Sequence, residues 1–217
     1  MKNKPPAILF DLNGTMINDM KYHVSAWYRI LNEMGANVTV EKIKEEAYGK
    51  NDEFLERIFP GRFTLKEKNE ITFEKEKRYQ AEFLPHLKLI DGLPEYLEQC
   101  YKEGIKMAIG SAAIKFNIDY VIDNLKIRHY FKVLVSAEDV AYSKPDPEVW
   151  LICARRLEVP PEECLVFEDA PKGVESAANA GMKAIAITTM HEPPDFGNYS
   201  NIIRFIKNYK QMIMSNG

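Results

Sequence analysis

Short apolar runs alternate with helical patterns through the second half of this chain, and this alternation most limits the folds that the chain can adopt. The candidate strands are residues 105–109, 133–135, 165–167 and 183–187. The candidate helices are residues 118–125, 146–157 and 173–180, where apolar residues follow helical spacing. Such alternation predicts an α/β fold, with a parallel sheet and helices on both faces.

The most informative motif follows another apolar run near the start of the chain. Residues 7–10 have the pattern of a buried strand, and Asp11-Leu12-Asn13-Gly14-Thr15 comes directly after it. A carboxylate at the end of a strand lies where open α/β sheets bind ligands. Asp11 is therefore a candidate nucleophile for covalent catalysis. An aspartate that only caps a helix or a turn gives the same local pattern.

Three later segments place polar side chains beside predicted strands or helices. Ser111 follows the second apolar run, and Lys144 precedes a helical pattern. Glu168 and Asp169 follow a further apolar run. A hydroxyl, a cation and two carboxylates thus accompany Asp11. Taken singly, a helix-capping serine would explain Ser111 and an exposed lysine would explain Lys144. A solvated acidic turn is the alternative for Glu168 and Asp169, and the apolar strand before them argues against it.

These motifs, in this order, resemble the haloacid dehalogenase superfamily. The pairs Tyr22-His23 and Ala26-Trp27, the turn Gly110-Ser111-Ala112 and the pair Lys144-Pro145 are similar to its beta-phosphoglucomutase-like branch. The resemblance covers residues 7 to about 187. It implies a Rossmann-like core with a helical cap inserted after the first strand. It also implies phosphoryl transfer through an aspartyl-phosphate, with a small phosphorylated metabolite, such as a sugar phosphate, as substrate.

A divalent cation is expected in this site, because a phosphate dianion and the nucleophile repel each other. Oxygen ligands at a partly hydrated site suit Mg²⁺. The resemblance implies that Asp11, the backbone carbonyl of Asn13 and Asp169 ligate it, with Glu168 in or next to the coordination shell. Lys144 would stabilise the negative charge that develops during transfer.

Substrate contacts are expected from both predicted domains. Ser111 and the amide of Ala112 lie at a predicted helix start, where N–H groups bind phosphate oxygens. The resemblance implies that His23 of the cap faces the catalytic site. Lys50 stands in the cap loop that, in this branch, usually supplies an arginine for a second phosphate. This difference favours a phosphatase over a mutase. A solvated surface lysine is the preferred interpretation of Lys50, and contact with substrate is the alternative.

Asn13 is the main departure from the superfamily pattern. Phosphatases and mutases of the superfamily usually carry an aspartate there, which protonates the leaving oxygen and then activates water or a sugar. Such general acid–base catalysis is worth about 10²–10⁴-fold. Asparagine keeps the size and hydrogen bonding of aspartate but cannot transfer a proton at neutral pH. It is compatible with a naturally slow or specialised enzyme, and with an engineered Asp→Asn change that traps a complex.

The segment between the first two predicted strands differs from the remainder. It is rich in lysine and glutamate, and its patterns are helical. We therefore expect a helical cap over residues 17–85 and a catalytic core made of residues 1–16 and 86–217. The tail, residues 202–214, is expected to add a short strand and a closing helix.

Composition narrows the class of protein. The chain has 217 residues, 46% of them hydrophobic, and a net charge of -3 without a long basic run, which argues against nucleic acid as a partner. The apolar stretch near the N-terminus is too short for a signal peptide or a membrane span. Cys100, Cys153 and Cys164 form no Cys-x-x-Cys pair and are expected to be buried, reduced thiols. We expect a cytoplasmic monomer with no membrane partner.

Two other functions remain compatible with the sequence. A metal-free haloacid dehalogenase also uses an aspartate nucleophile, but the Glu168-Asp169 pair beside Asp11 would be costly without a cation. A phosphometabolite-binding protein whose catalysis has decayed at Asn13 would bind its ligand tightly without turnover.

Overall fold

The computed structural model describes residues 4–213, which form two compact units. One unit contains residues 4–18 and 88–213, and the other is Asp19–Leu87. That these units act as a catalytic core and a cap stays a prediction.

The larger unit is built on one six-stranded parallel sheet. Its strands are β1 (Ala7–Phe10), β2 (Lys106–Gly110), β3 (Val133–Val135), β4 (Cys164–Glu168), β5 (Lys183–Ile187) and β6 (Ile202–Ile206). They lie in the order β3-β2-β1-β4-β5-β6, and every neighbouring pair is parallel. The predicted α/β fold is therefore confirmed.

The register of the central strands brings the predicted site residues together. Phe10, the last residue of β1, pairs with Ile109 of β2 and with Phe167 of β4. The residues that follow these three positions therefore meet at the carboxyl edge of the sheet, where parallel sheets bind ligands.

The smaller unit contains four helices around its own apolar core. They are α1 (Met20–Glu33), α2 (Val40–Glu46), α3 (Asn51–Ile58) and α4 (Leu65–Phe83). Trp27 of α1 meets Phe54 of α3 edge to face, with ring centroids 4.9 Å apart, and both side chains are buried. Thr64 begins α4 with a capping box, in which its hydroxyl accepts a hydrogen bond from the Glu67 N–H.

Four further helices belong to the larger unit. They are α5 (Leu93–Lys102), α6 (Lys115–Asn124), α7 (Glu148–Leu157) and α8 (Pro171–Asn179). Side chains of α7 and α8 pack with the strand residues of one sheet face, such as Leu9 and Val166, in a single apolar cluster. Alternate strand residues enter an aromatic cluster instead, where the Phe10 and Phe167 rings stack with centroids 5.2 Å apart. Alternation along the central strands thus gives the sheet two buried faces, whereas three of the five residues of the edge strand β6 are exposed.

The structure near the end of the described chain agrees only in part with the prediction made from the sequence. The expected strand is β6, but the residues after it form a 3₁₀ turn at Tyr209–Gln211 within the described part of the chain, not the expected closing helix. The far end of that expected helix, residue 214, lies outside the described residues.

Across residues 4–213, no helix combines the length and the apolar character that a membrane crossing requires. Cys100, Cys153 and Cys164 are buried and free of disulfides, as predicted.

Candidate active site

Asp11 lies at the carboxyl end of the central strand β1. Its backbone N–H donates a 3.0 Å hydrogen bond to the carbonyl oxygen of Phe167, which continues the pairing of β1 with β4 by one residue. The side chain is buried. Strand pairing therefore fixes the backbone of the candidate nucleophile independently of its side-chain contacts.

The Lys144 ammonium joins Asp11 to a second strand end. Its Nζ lies 2.7 Å from Asp11 Oδ1 and 2.7 Å from Glu168 Oε1, and it also donates to the Gly110 carbonyl oxygen at 3.3 Å. Burial opposes the charge of this ammonium, but the carboxylates of Asp11 and Glu168 outweigh it and raise the pKa of Lys144 above its ordinary value. Lys144 is therefore a fixed positive charge at neutral pH.

Three buried carboxylates share the site. One oxygen from each of Asp11, Glu168 and Asp169 lies within 4.8 Å of the others. Burial, followed by repulsion from Glu168 and Asp11, raises the pKa of Asp169 well above its ordinary range. One ammonium does not balance three carboxylates, and clustered oxygens are the ligands that hard divalent cations prefer. The donor set therefore fits a divalent metal ion.

Two glycines leave room for these carboxylates. Gly14 has φ +79, and a Cβ atom added to it would lie 2.0 Å from Asp169 Oδ2. A Cβ atom at Gly173, in the first turn of α8, would lie 1.8 Å from Glu168 Oε1. Both carboxylates thus lie against bare backbone, where any larger residue would displace them.

Hydroxyl groups that the sequence analysis did not single out hold the loop after β1. Thr15 donates from Oγ1 to Asp169 Oδ1 at 3.2 Å. Thr189 donates from Oγ1 to the Gly14 carbonyl oxygen at 2.6 Å, and the Tyr209 hydroxyl donates to the Thr15 carbonyl oxygen at 3.1 Å. Of these three residues, only Thr15 lies in a motif that the sequence analysis identified, the segment that begins at Asp11.

Asn13 lies in this loop, two residues after Asp11. It forms an isolated backbone bridge with Ile17, and the Gly14 N–H donates to the Ile17 carbonyl oxygen at 2.8 Å. The Asn13 side chain is half-buried. The loop is therefore closed on itself by backbone contacts that do not depend on which side chain stands at position 13.

Ser111 follows β2 but does not begin a helix. Its Oγ accepts a 3.1 Å hydrogen bond from the Ala113 N–H, and α6 begins only at Lys115. The carboxylate of Glu138 accepts the Lys115 N–H at 3.0 and 3.1 Å and so caps the helix. The predicted helix start at Ser111 was therefore wrong, because a turn separates the strand from the helix. Contact of Ser111 and Ala112 with phosphate stays a prediction.

His23 belongs to the smaller unit. Its Nδ1 lies 2.6 Å from Lys75 Nζ, its Nε2 lies 3.2 Å from Asp19 Oδ2, and its ring stacks on Tyr79 with centroids 3.8 Å apart. This network is largely buried. Binding of substrate by His23 stays a prediction.

Lys50 also belongs to the smaller unit, and it stands at the N-cap of α3. Its backbone N–H donates to Glu53 Oε2 at 3.0 Å, so that carboxylate closes the first turn of the helix. Its proposed contact with substrate stays a prediction as well.

Comparison with known proteins identifies the family. A family model described as haloacid dehalogenase-like hydrolase matches residues 8–187. Beta-phosphoglucomutase of Bacillus subtilis is 31% identical over 189 residues, which are 83% of this chain and 82% of that protein. Fructose-1-phosphate phosphatase of Escherichia coli is 26% identical over 190 residues, 86% of this chain and 98% of that protein.

A solved structure shares the fold. The crystal structure of beta-phosphoglucomutase from Clostridium difficile covers 97% of this chain and 94% of its own, with a TM-score of 0.84 and 23% identity. The family match itself runs from β1 to β5 and includes Asp11, Lys144 and both carboxylates of β4 and its following loop. The chain therefore belongs to the haloacid dehalogenase-like hydrolase family.

Proposed function

We propose that the protein is a Mg²⁺-dependent phosphatase that acts on small phosphorylated metabolites, foremost sugar phosphates, through a phosphorylated Asp11. The observation that carries this proposal is the Lys144 ammonium, 2.7 Å from both Asp11 and Glu168, beside the buried carboxylate of Asp169. The names of two relatives, a beta-phosphoglucomutase and a fructose-1-phosphate phosphatase, support the substrate class.

In the first step, a carboxylate oxygen of Asp11 attacks phosphorus. A bond forms between that oxygen and phosphorus, and the bond from phosphorus to the ester oxygen breaks. The ester oxygen leaves with the electron pair and takes a proton from water, because Asn13 can donate a hydrogen bond but no proton. Lys144 stabilises the charge that accumulates on the transferring group.

In the second step, the oxygen of a water molecule attacks the phosphorus of the phosphorylated Asp11. One proton of that water stays on the phosphate, and the other passes to solvent, where it neutralises the hydroxide left by the first step. The bond from phosphorus to the Asp11 oxygen breaks, inorganic phosphate leaves, and the carboxylate is restored. Splitting one difficult displacement into two easier ones is the general advantage of a covalent intermediate.

Asp11, Asp169 and the backbone carbonyl of Asn13 would hold Mg²⁺, with Glu168 at or beside the ion. When bound, the ion neutralises part of the charge of the phosphate and the carboxylates, so that the two can approach. The glycines at positions 14 and 173 support this assignment, since a side chain at either position would displace Asp169 or Glu168.

Hydrolysis is preferred to mutase chemistry because of the smaller unit. A mutase must bind both ends of a bisphosphate, and Lys50 stands where this branch usually carries an arginine. We further propose that the protein works as a monomer in the reducing cytoplasm, which suits its buried, free cysteines.

The proposal is tested by measuring phosphate release from a panel of sugar phosphates, nucleotides and pyrophosphate, with Mg²⁺ and with excess chelator. We expect release only with Mg²⁺ and strongest release among sugar phosphates. Tight binding of a sugar phosphate without turnover would favour the binding-protein alternative. Chloride release from a 2-haloacid without Mg²⁺ would favour the dehalogenase alternative.

Mg²⁺ should stabilise the protein more as pH rises. The raised pKa of Asp169 means that the metal-free folded protein keeps a proton that the unfolded chain has already lost above about pH 3.8. The free energy of unfolding of the metal-free protein should therefore fall as pH rises above that value. Mg²⁺ binds the deprotonated carboxylate, so the free energy of unfolding of the metal-bound protein should not fall in this way. The increase in melting temperature caused by Mg²⁺ should be larger at about pH 8 than at about pH 5.

The matched control is Asp169→Asn, which keeps the shape of the side chain and removes its titration. In this variant the effect of Mg²⁺ on the melting temperature should be small at both pH values. Equal stabilisation of the unaltered protein at both pH values would contradict the assignment of Asp169 to the metal.

A further inference from the structure

The indole ring of Trp150 lies against the Lys144 ammonium. Trp150 belongs to α7 and is fully buried. Lys144 Nζ lies 4.4 Å from the centroid of this ring. A cation over an aromatic face within about 6 Å is attracted by the ring, most strongly when the ring is an indole.

The end of β2 is shaped to admit this ring. A Cβ atom added to Gly110 would lie 2.8 Å from Cζ3 and 3.0 Å from Cε3 of Trp150. The φ angle of Gly110 lies outside the left-handed region, so close approach of the indole, not backbone conformation, requires glycine there. The carbonyl oxygen of Gly110 also accepts from Lys144. The same backbone position therefore contacts the ring and the ammonium.

The polar atom of the indole does not explain why tryptophan stands at this position. Nε1 of Trp150 is buried and has no hydrogen-bond partner among residues 4–213. A buried donor without an acceptor destabilises the folded state, and a phenylalanine would avoid that cost. What tryptophan supplies, and phenylalanine supplies less well, is the electron-rich face beneath the ammonium.

We propose that Trp150 is a positioning residue, whose indole face holds the Lys144 ammonium at the reacting group; this rests on the proposed role of Lys144 in phosphoryl transfer. The contact matters most after the first step. Phosphorylation of Asp11 converts its carboxylate into an acyl phosphate, and the ion pair between Asp11 and Lys144 weakens. Glu168 and the indole face then keep the ammonium in place for the attack of water.

The first test compares Trp150→Phe with Trp150→Leu, using p-nitrophenyl phosphate as the probe. Phenylalanine keeps a weaker aromatic face, and leucine keeps only apolar volume. We expect kcat to fall by about threefold for Trp150→Phe and about tenfold for Trp150→Leu, with KM changed by less than about twofold. Equal kcat in the three folded proteins would overturn the proposal.

A second variant covers the case in which Trp150→Leu does not fold. Gly110→Ala keeps the indole but places a methyl group against its ring. We expect kcat to fall with little change in KM, as in the Trp150 variants. Unchanged kcat in folded Gly110→Ala protein would count against the proposal.

The last test does not depend on turnover. Trp27 and Trp150 are the two tryptophans of the chain, so Trp27→Phe leaves Trp150 as the sole tryptophan emitter. In that background, Lys144→Met should change the emission intensity and lifetime of Trp150, since a positive charge leaves the ring face. Identical emission would overturn the proposal. A protein without phosphatase activity but with this change in emission would contradict the proposed function and leave the contact established.

Discussion

Asp11→Asn should abolish phosphate release while the protein stays folded. The amide of asparagine cannot form the bond to phosphorus, and loss of a nucleophile typically lowers kcat on the order of 10⁵-fold or more. The variant should fold, because strand pairing holds this position through the backbone hydrogen bond from Asp11 to Phe167. The Lys144 ammonium also keeps Glu168 as a partner. Phosphate release and the melting temperature are measured on the same preparation.

Asp91→Asn is the matched control for that experiment. Asp91 is exposed and forms its ion pair with Lys210 at 3.1 Å. The same chemical change there should leave kcat within about twofold, as expected for a surface substitution. Beryllium fluoride, a mimic of the phosphoryl group on aspartate, should raise the melting temperature of the Asp91→Asn protein with Mg²⁺ and should not raise that of Asp11→Asn. Turnover retained by Asp11→Asn would contradict a mechanism in which Asp11 is the covalent nucleophile.

The strands β1, β2, β4 and β5 were predictable because almost all of their residues are buried. Every residue of β1 is fully buried. A short continuous apolar run is therefore enough to indicate the strand, without alternation of apolar and polar residues. Parallel pairing then requires that the residues after β1, β2 and β4 meet at one edge. That rule places Asp11, Glu168 and Asp169 at the same edge of the sheet. Their proximity also requires that β4 lies beside β1, which the motifs alone do not determine.

The start of α6 was not predictable from local sequence. Ser111 has the residue type and the position of a helix cap, but the carboxylate that caps α6 comes from Glu138, 23 residues from Lys115. The cap depends on the turn after β3, which brings Glu138 to the helix. A local pattern carries no information about such a partner.

The residues that orient the reacting groups were not predicted either, because their contacts join positions that lie far apart in the sequence. The hydrogen bond from Thr189 to Gly14 joins positions 175 residues apart, and the bond from Tyr209 to Thr15 joins positions 194 residues apart. Trp150 lies in a helix with an ordinary apolar pattern, and its contact with Lys144 depends on the glycine at the end of β2. Motifs indicate the reacting groups, whereas the groups that orient them are set by tertiary packing.

Asn13→Asp should increase turnover. If the nucleophile, the cation and the metal carboxylates are intact, the reaction lacks only a proton carrier. Aspartate restores that carrier with almost no change in volume. For a sugar phosphate, whose alkoxide leaving group needs a proton, kcat should rise on the order of 10²-fold or more. The loop should keep its conformation, because the bonds from Gly14 to Ile17 and from Thr189 to Gly14 do not involve the side chain at position 13.

The leaving group distinguishes a missing acid from a site that is damaged elsewhere. With p-nitrophenyl phosphate, whose leaving oxygen is weakly basic, Asn13→Asp should raise kcat much less than with a sugar phosphate. The plot of log kcat against leaving-group pKa should therefore be steep for the unaltered protein and shallow for Asn13→Asp. Asn198→Asp, the same change at an exposed position, should alter neither the slope nor kcat.

The opposite result has an equally definite meaning. If Asn13→Asp raises kcat for no phosphate ester, while Mg²⁺ and phosphate still bind, the missing proton carrier is not what limits this site. Calorimetric titration with inorganic phosphate, with and without Mg²⁺, establishes that binding independently of turnover. A site that binds but gains nothing from the acid would favour a phosphometabolite-binding protein, in which Asp11 and Lys144 serve to hold the ligand and the metal without phosphoryl transfer.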